Sequence, residues 1–167
     1  MTGLISIDPG MMTGVVFGSY SEDGAFKVED RWQVGGGLQG ALVDLESIAD
    51  STEIVCEKFS PRPGARSWKL AELEPIRIEG AREAIYGSRI HWRKPEQRKL
   101  VGDSLTLTAE FLRQSDYWTM PKDVGHKDAN DVNAAMMHAI GYLRDRKHRP
   151  TFDMLIEYTE QLTEGLE

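Results

Sequence analysis

The stretch "LISIDPGMMTGVVFG" (Leu4–Gly18) decides how this chain is read. Leu4, Ile5 and Ile7 ask for a core, yet the run closes on Asp8, and Pro9-Gly10 then turns the chain. Asp8 either opens a turn or forms one corner of a charged site at the end of a buried strand. Working outward, "MTGVVFG" (12–18) and "GAFKVEDRWQV" (24–34) are two further β runs. The second alternates Phe26, Val28, Asp30 and Trp32, and "SEDG" (21–24) supplies the turn between them. Three short runs joined by tight turns predict an antiparallel meander.

The period then changes. Leu38, Ala41, Leu42, Leu45, Ile48 and Ala49 fall at helical spacing, predicting a helix over 38–50. "EIVCEKF" (53–59) is short, apolar and β-branched, the signature of an interior strand. A helix between two such strands makes a βαβ unit with parallel neighbours. Residues 69–87 predict a helix bent or restarted at Pro75, and "SRIHW" (88–92) a fifth strand. Short helices are expected over 94–102 and 104–114, and an irregular stretch from Asp116 to Lys127. "DANDVNAAMMHAIGYLRDRKH" (128–148) carries the strongest helical pattern and ends in a basic turn before Pro150. The expected architecture is α/β: a five-stranded mixed sheet, antiparallel over its first three strands and parallel in the remainder, flanked by helices. Residues 1–150 are expected to form one domain and 151–167 a helical tail.

Length and composition narrow the class. A chain of 167 residues can bury a real core, and its single cysteine, Cys56, rules out an internal disulfide. With no secretory pattern and no long apolar run, the expectation is a soluble cytoplasmic protein of a bacterial or phage-infected cell, without membrane association. The net charge is -7, yet residues 58–99 carry 11 Lys and Arg against 5 Asp and Glu. A concentrated basic face binds phosphates even on an acidic protein, although a solvated helix face reads the same way.

Acid stands in three costly places: Asp8 closing the first strand, Glu57 near the end of the interior strand, and Asp128 with Asp131 opening the strongest helix. Each alone has a plain structural reading: a turn former, half of an ion pair, a helix cap. Together they point elsewhere. A right-handed crossover would make "LISID" and "EIVCE" parallel neighbours about 4.8 Å apart, with Asp8 and Glu57 at the same sheet end. A helix packed over that end would add its two aspartates, expected on one face a turn apart. Crowded carboxylates need compensation, and oxygen-only donors suit Mg²⁺ or Mn²⁺ rather than structural zinc. Two such ions form the usual apparatus for phosphodiester cleavage.

"ISIDPGMMTGVV", "IVCEKF" and "DANDVNAAMMHAIGYL" together resemble the RuvC-type Holliday junction resolvases, in particular their phage-encoded and divergent branch within the RNase H-like nuclease superfamily. The resemblance spans roughly residues 3–148. It implies an RNase H-like fold, with Asp8, Glu57, Asp128 and Asp131 as catalytic and metal-binding acids for two Mg²⁺ ions, Mn²⁺ substituting. It implies a homodimer that resolves four-way junctions by paired nicks, and a DNA-contacting loop after the glutamate strand, here carrying Lys58, Phe59, Arg62, Arg66 and Trp68. Lys94, Arg98, Lys99 and Lys122 are further phosphate contacts or a solvated surface. His126 is an auxiliary near the metal or a loop residue. His138 reads as a packed helix residue, and Trp92 and Trp118 as core or rim packing. Three other readings stand beside this one: a broader flap or replication-fork nuclease, an actin-like nucleotide-binding protein, and a catalytically inactive DNA-binding protein. The second is disfavoured because "GGG" (35–37) lacks the lysine-serine end of a phosphate loop.

Overall fold

A computed structural model describes residues 1–43, 48–60, 70–95, 112 and 115–164. Five strands form one sheet: β1 (Thr2–Asp8), β2 (Met12–Ser21), β3 (Gly24–Gly35), β4 (Glu53–Glu57) and β5 (Ile90–Arg93), in the order β3-β2-β1-β4-β5. β1 pairs antiparallel with β2 and parallel with β4. β2 pairs antiparallel with β3, and β4 parallel with β5. This is the mixed five-stranded sheet that the strand pattern predicts. The helices are α1 (Gly37–Val43), α2 (Leu70–Tyr86), a single turn α3 (Pro121–Val124), α4 (Asn130–Asp145) and α5 (Arg149–Glu164).

Alternation along the strands divides the core in two. Leu4, Val16 and Val55 face α4, packing with Val132, Ala135, Met136, Ala139, Ile140 and Leu143. Ile5, Ile7, Val15, Ile54 and Cys56 face the opposite way, toward Tyr86 at the end of α2. Leu4, Ile7 and Ile54 are fully buried, and each such side chain contributes about 1.5–3 kcal/mol relative to exposure. Both faces of β1 and β4 are therefore covered, which is why most of their interior positions are apolar while much of the edge strand β3 is not.

Boundaries differ from the pattern-based expectations where local geometry intervenes. The first helix covers 37–43, not 38–50, and residues 48–50 are already non-helical. Pro75 does not interrupt α2, which runs continuously from Leu70 to Tyr86. The expected helices over 94–102 and 104–114 fall almost wholly outside the described residues. α5 begins at Arg149, and the Oγ1 of its Thr151 accepts from the Phe26 N–H at 2.9 Å, so its first turn is anchored to β3. No helix among the described residues is long and apolar enough to cross a membrane.

The start of α1 answers the glycine run. Gly37 has φ +58°, a conformation open chiefly to glycine. The Leu38 N–H donates to Oε2 of Glu74 at 2.8 Å. A Cβ on Gly37 would lie 2.4 Å from that same oxygen. The backbone donor that a phosphate loop would use is occupied by a carboxylate of the protein itself. The Leu38 N–H is the main cause that holds the Glu74 carboxyl below its ordinary range, with Arg77 adding to it.

Candidate active site

Asp8 and Glu57 end adjacent parallel strands. The register runs Leu4↔Glu53 to Ile7↔Cys56, so Asp8 and Glu57 are the next residues on each strand. Asp8 follows Leu4 and Ser6 on the face toward α4, and Glu57 follows Val55 onto the same face. Both are buried, at 7% and 8% exposure. After Asp8 the chain turns through Pro9-Gly10, closed by Thr13, whose Oγ1 accepts from the Gly10 N–H and donates to the Gly10 carbonyl, both at 3.3 Å. The aspartate thus delivers its carboxylate at a strand end, and the turn leads away from it.

α4 crosses the sheet obliquely, and its contacts step across the strands. Asp131 Oδ2 accepts from Gln33 Nε2 on β3 at 2.7 Å. The Ala135 carbonyl accepts from Ser6 Oγ on β1 at 2.7 Å. His138 Nε2 lies 2.6 Å from Glu57 Oε2 on β4. Asp145 Oδ2 accepts from Arg93 Nη1 on β5 at 2.7 Å. This path brings the first turn of α4 over β2 beside Asp8. Asp8 pairs with Gly14, and a Cβ on Gly14 would lie 2.1 Å from both the carbonyl carbon and oxygen of Asp131. Only glycine there lets the helix approach this closely.

The fourth acid sits differently from its expected place. α4 starts at Asn130 with Ala129 as its N-cap, so Asp128 lies ahead of the helix. Its Oδ1 accepts weakly from the Asn130 N–H at 3.4 Å, and the expected one-turn, same-face spacing with Asp131 does not apply. The structure thus puts Asp8 and Glu57 at adjacent strand ends and the Asp131 backbone over Gly14, the β2 partner of Asp8, with Asp128 at the approach to the helix. His126 is exposed in the turn after α3 and shows no contact with the acids among the described hydrogen bonds.

His138 is buried, as expected of a packed helix residue, but it also grips Glu57. It lies seven residues beyond Asp131, and that heptad relation was the signal. Gln33 was not visible, because an isolated Gln on an edge strand gives no sequence cue. Arg93 also escaped notice. It faces Glu57 in register, is 3% exposed, and its Nε and Nη2 have no hydrogen-bond partner among the described residues.

Of the expected DNA contacts, Lys58 and Lys94 are exposed and follow Glu57 and Arg93, the paired ends of β4 and β5. The Lys58 N–H donates to the Arg93 carbonyl at 2.6 Å, tying the two strand ends together. Phe59 is half-buried, its N–H donating to Glu79 Oε1. Burial pushes the Glu79 carboxyl up. Lys122 is exposed on α3. Arg62, Arg66, Trp68, Arg98 and Lys99 lie outside the described residues. Trp92 and Trp118 pack partly buried against the two halves of the core, as expected. An open groove of about 630 Å³ runs along the outer edge of β3, lined by Phe26, Arg31, Tyr117 and Leu155, apart from the acids.

Carboxylate oxygens are donors of the kind a hard divalent cation takes, and the amide oxygen Gln33 Oε1 beside Asp131 has no hydrogen-bond donor among the described residues. Among the described residues no group of three or more His, Cys, Asp or Glu side chains is placed to hold a metal ion by itself. Mg²⁺ keeps several waters and takes one or two carboxylates plus substrate phosphate, so it is the ion that a pair of these acids, Asp8 and Glu57, would hold.

No protein-family model matches the chain. A GTP pyrophosphokinase of Streptomyces coelicolor is 28% identical over 129 residues, 65% of this chain, and the chain spans only 15% of that protein's length. Among solved structures, Thermus thermophilus RuvC in complex with a Holliday junction substrate superposes with a TM-score of 0.54 at 12% identity, covering 89% of this chain and 98% of that one. A second Thermus thermophilus RuvC structure gives a TM-score of 0.50 at 16% identity, covering 86% and 96%. With the strand order β3-β2-β1-β4-β5 and helices on both faces, this chain has a RuvC-like, RNase H-like fold.

Proposed function

We propose that this protein is a metal-dependent endonuclease acting on branched DNA, with the four-way junction as its substrate. The observation that supports this reading is that Asp8 and Glu57 end adjacent strands on the face covered by α4, whose first turn, with Asp131, is seated over Gly14 beside Asp8. Asp128 at the approach to α4 is proposed as the fourth acid. The RuvC-like fold, whose relative is seen with a Holliday junction substrate, supports the choice of substrate. A divalent ion held by these acids would offset their charge and polarise the scissile phosphate and an attacking water.

The chain's own residues supply the rest. His138 orients Glu57 from beneath, inside the core, and Gln33 orients Asp131 from the side. Lys58 and Lys94 place two cations at the ends of β4 and β5, where they draw the phosphate backbone toward Glu57. Arg62, Arg66 and Lys99 are proposed to extend that surface, with Lys122 on the opposite side of the acids. Two opposed nicks require two such sites, hence a homodimer in the cytoplasm as the working form. The likeness to a GTP pyrophosphokinase covers too little of that protein to argue for nucleotide synthesis.

The decisive experiment is a cleavage panel with Mg²⁺ on a four-way junction, a three-way flap, duplex and single strand, using wild type, Asp8→Asn and Glu57→Gln. Paired nicks on the four-way junction, lost in both variants with binding retained, are expected. Equal cleavage by either variant refutes the site, and preference for the flap replaces junction resolution by fork processing.

A further inference from the structure

β5 carries a guanidinium onto the row where β1 and β4 carry acids. Arg93 pairs in register with Glu57, and paired residues project to one face. His91, on the same side of β5, sets its ring against Tyr142 of α4, so this is the face that α4 covers. Arg93 is buried, and its Nη1 donates to Asp145 Oδ2 at 2.7 Å. The other oxygen of that carboxylate, Oδ1, accepts from Arg144 Nη2 at 3.4 Å. Asp145 thus bridges two guanidiniums at the end of α4, and it satisfies neither. Arg93 Nε and Nη2 and Arg144 Nη1 are buried with no hydrogen-bond partner among the described residues. A buried donor without an acceptor is costly. Nε and Nη2 form one edge of a guanidinium, a fork that takes two oxygens of a phosphate or carboxylate at once. Asp145 leaves that fork of Arg93 unused. It is also the accessible member of the group, its side chain 44% exposed against 4% for Arg93.

We propose that Arg93 and Arg144 form a binding site for a backbone phosphate of the DNA, and that Asp145 holds this place until DNA arrives. The inference rests on the reading of this protein as one that acts on DNA, and deepens it by naming a phosphate contact apart from the surface lysines. Asp145 is the last residue of α4, so its carboxylate can turn outward into water. Phosphate oxygens then meet the fork of Arg93 from the side that Asp145 covered, with Arg144 Nη1 as a further donor. Neighbouring strands lie about 4.8 Å apart, so a DNA strand held at Arg93 passes beside Glu57. The charge of Glu57 opposes an anion there, and Lys58 and Lys94, which follow Glu57 and Arg93, offset it.

The test follows binding of a labelled four-way junction by fluorescence anisotropy at several salt concentrations, with EDTA present to prevent cleavage. Wild type is compared with Arg93→Met, Arg144→Met and Asp145→Asn. Each arginine variant should weaken binding and reduce the slope of log affinity against log salt by about one. Asp145→Asn removes the charge that competes with the phosphate and should tighten binding severalfold. A purely structural bridge predicts the opposite sign for Asp145→Asn, since losing either end would loosen the same contact. Unchanged or weaker binding by Asp145→Asn therefore overturns the inference, as does a wild-type slope in either arginine variant. If Arg93→Met does not fold, Arg93→Lys takes its place: it keeps the charge and loses the fork, so affinity at fixed salt should fall, and wild-type affinity overturns the inference. A wild type that binds the junction yet cuts nothing with Mg²⁺ refutes the nuclease reading, and the anisotropy series then still decides this site. A wild type that binds no DNA overturns the inference.

Discussion

Gly14→Ala is the sharpest perturbation of this site, because it adds one methyl group at a known place. That carbon would lie 2.1 Å from the Asp131 carbonyl carbon and oxygen and 2.4 Å from the Val132 nitrogen. Ordinary contact between such atoms is about 3.5–4.0 Å. The obstacle is backbone on both sides, so no side chain can rotate away, and the start of α4 must lift from β2 by about 1 Å or more to restore contact distance. The lost packing and strain belong at the upper end for an overpacked position, about 3 kcal/mol. For a chain of this size that lowers Tm by about 6–12 °C. The same lift carries Asp131 away from Asp8, and a displacement of about 1 Å at a reacting centre can cost about 100-fold in rate. Thermal unfolding followed by circular dichroism, with junction cleavage measured well below the lowered Tm, separates the two effects. A Gly14→Ala protein with wild-type Tm and wild-type cleavage would refute the claim that glycine seats α4 against β2.

Other consequences can be checked alongside. His138→Ala removes the 2.6 Å contact to Glu57 Oε2 and should cost about 1–3 kcal/mol in denaturant unfolding and about 10–100-fold in cleavage; His138→Gln should recover part of both, and a fully wild-type alanine variant would detach His138 from the site. Lys58→Ala and Lys94→Ala should each weaken junction binding and reduce the slope of log affinity against log salt by about one; filter binding at several salt concentrations with an unchanged slope removes those cations from the DNA surface. Burial pushes the Cys56 thiol up to about 11 from 9.0. The folded state therefore favours the neutral thiol, and the stability this supplies is present in full below pH 9 and is lost as pH rises from about 9 to 11. Cys56→Ala should show a shallower alkaline decline in urea midpoint, and identical pH profiles would show that Cys56 does not titrate as described.

The relation between sequence and structure is clearest at particular residues. "LISIDPG" and "EIVCE" specify two buried strands closing on acids, because an apolar run that ends in a carboxylate has few other solutions. Alternation and turn chemistry determine the meander, and one intervening helix makes β4 parallel to β1. The expected pairing of Asp8 and Glu57 at one sheet end follows from those local rules together with the handedness of the crossover. The acid at 128 shows where local rules stop. Helical spacing places Asp128 and Asp131 on one face, but the helix begins at Asn130, since Ala129 is its cap and Asp128 remains in the preceding segment.

Sequence by itself determined the sheet, its mixed sense and the two strand-borne acids, since each depends on periodicity and turns within a few residues. Tertiary structure alone decided how α4 crosses that sheet. The crossing brings Gln33 to Asp131 over 98 residues of chain and His138 to Glu57 over 81, and it makes a glycine at position 14 the seat of the helix. Such contacts depend on the angle at which two packed surfaces meet, and that angle is set by the sum of side chains on both faces rather than by any segment of the chain.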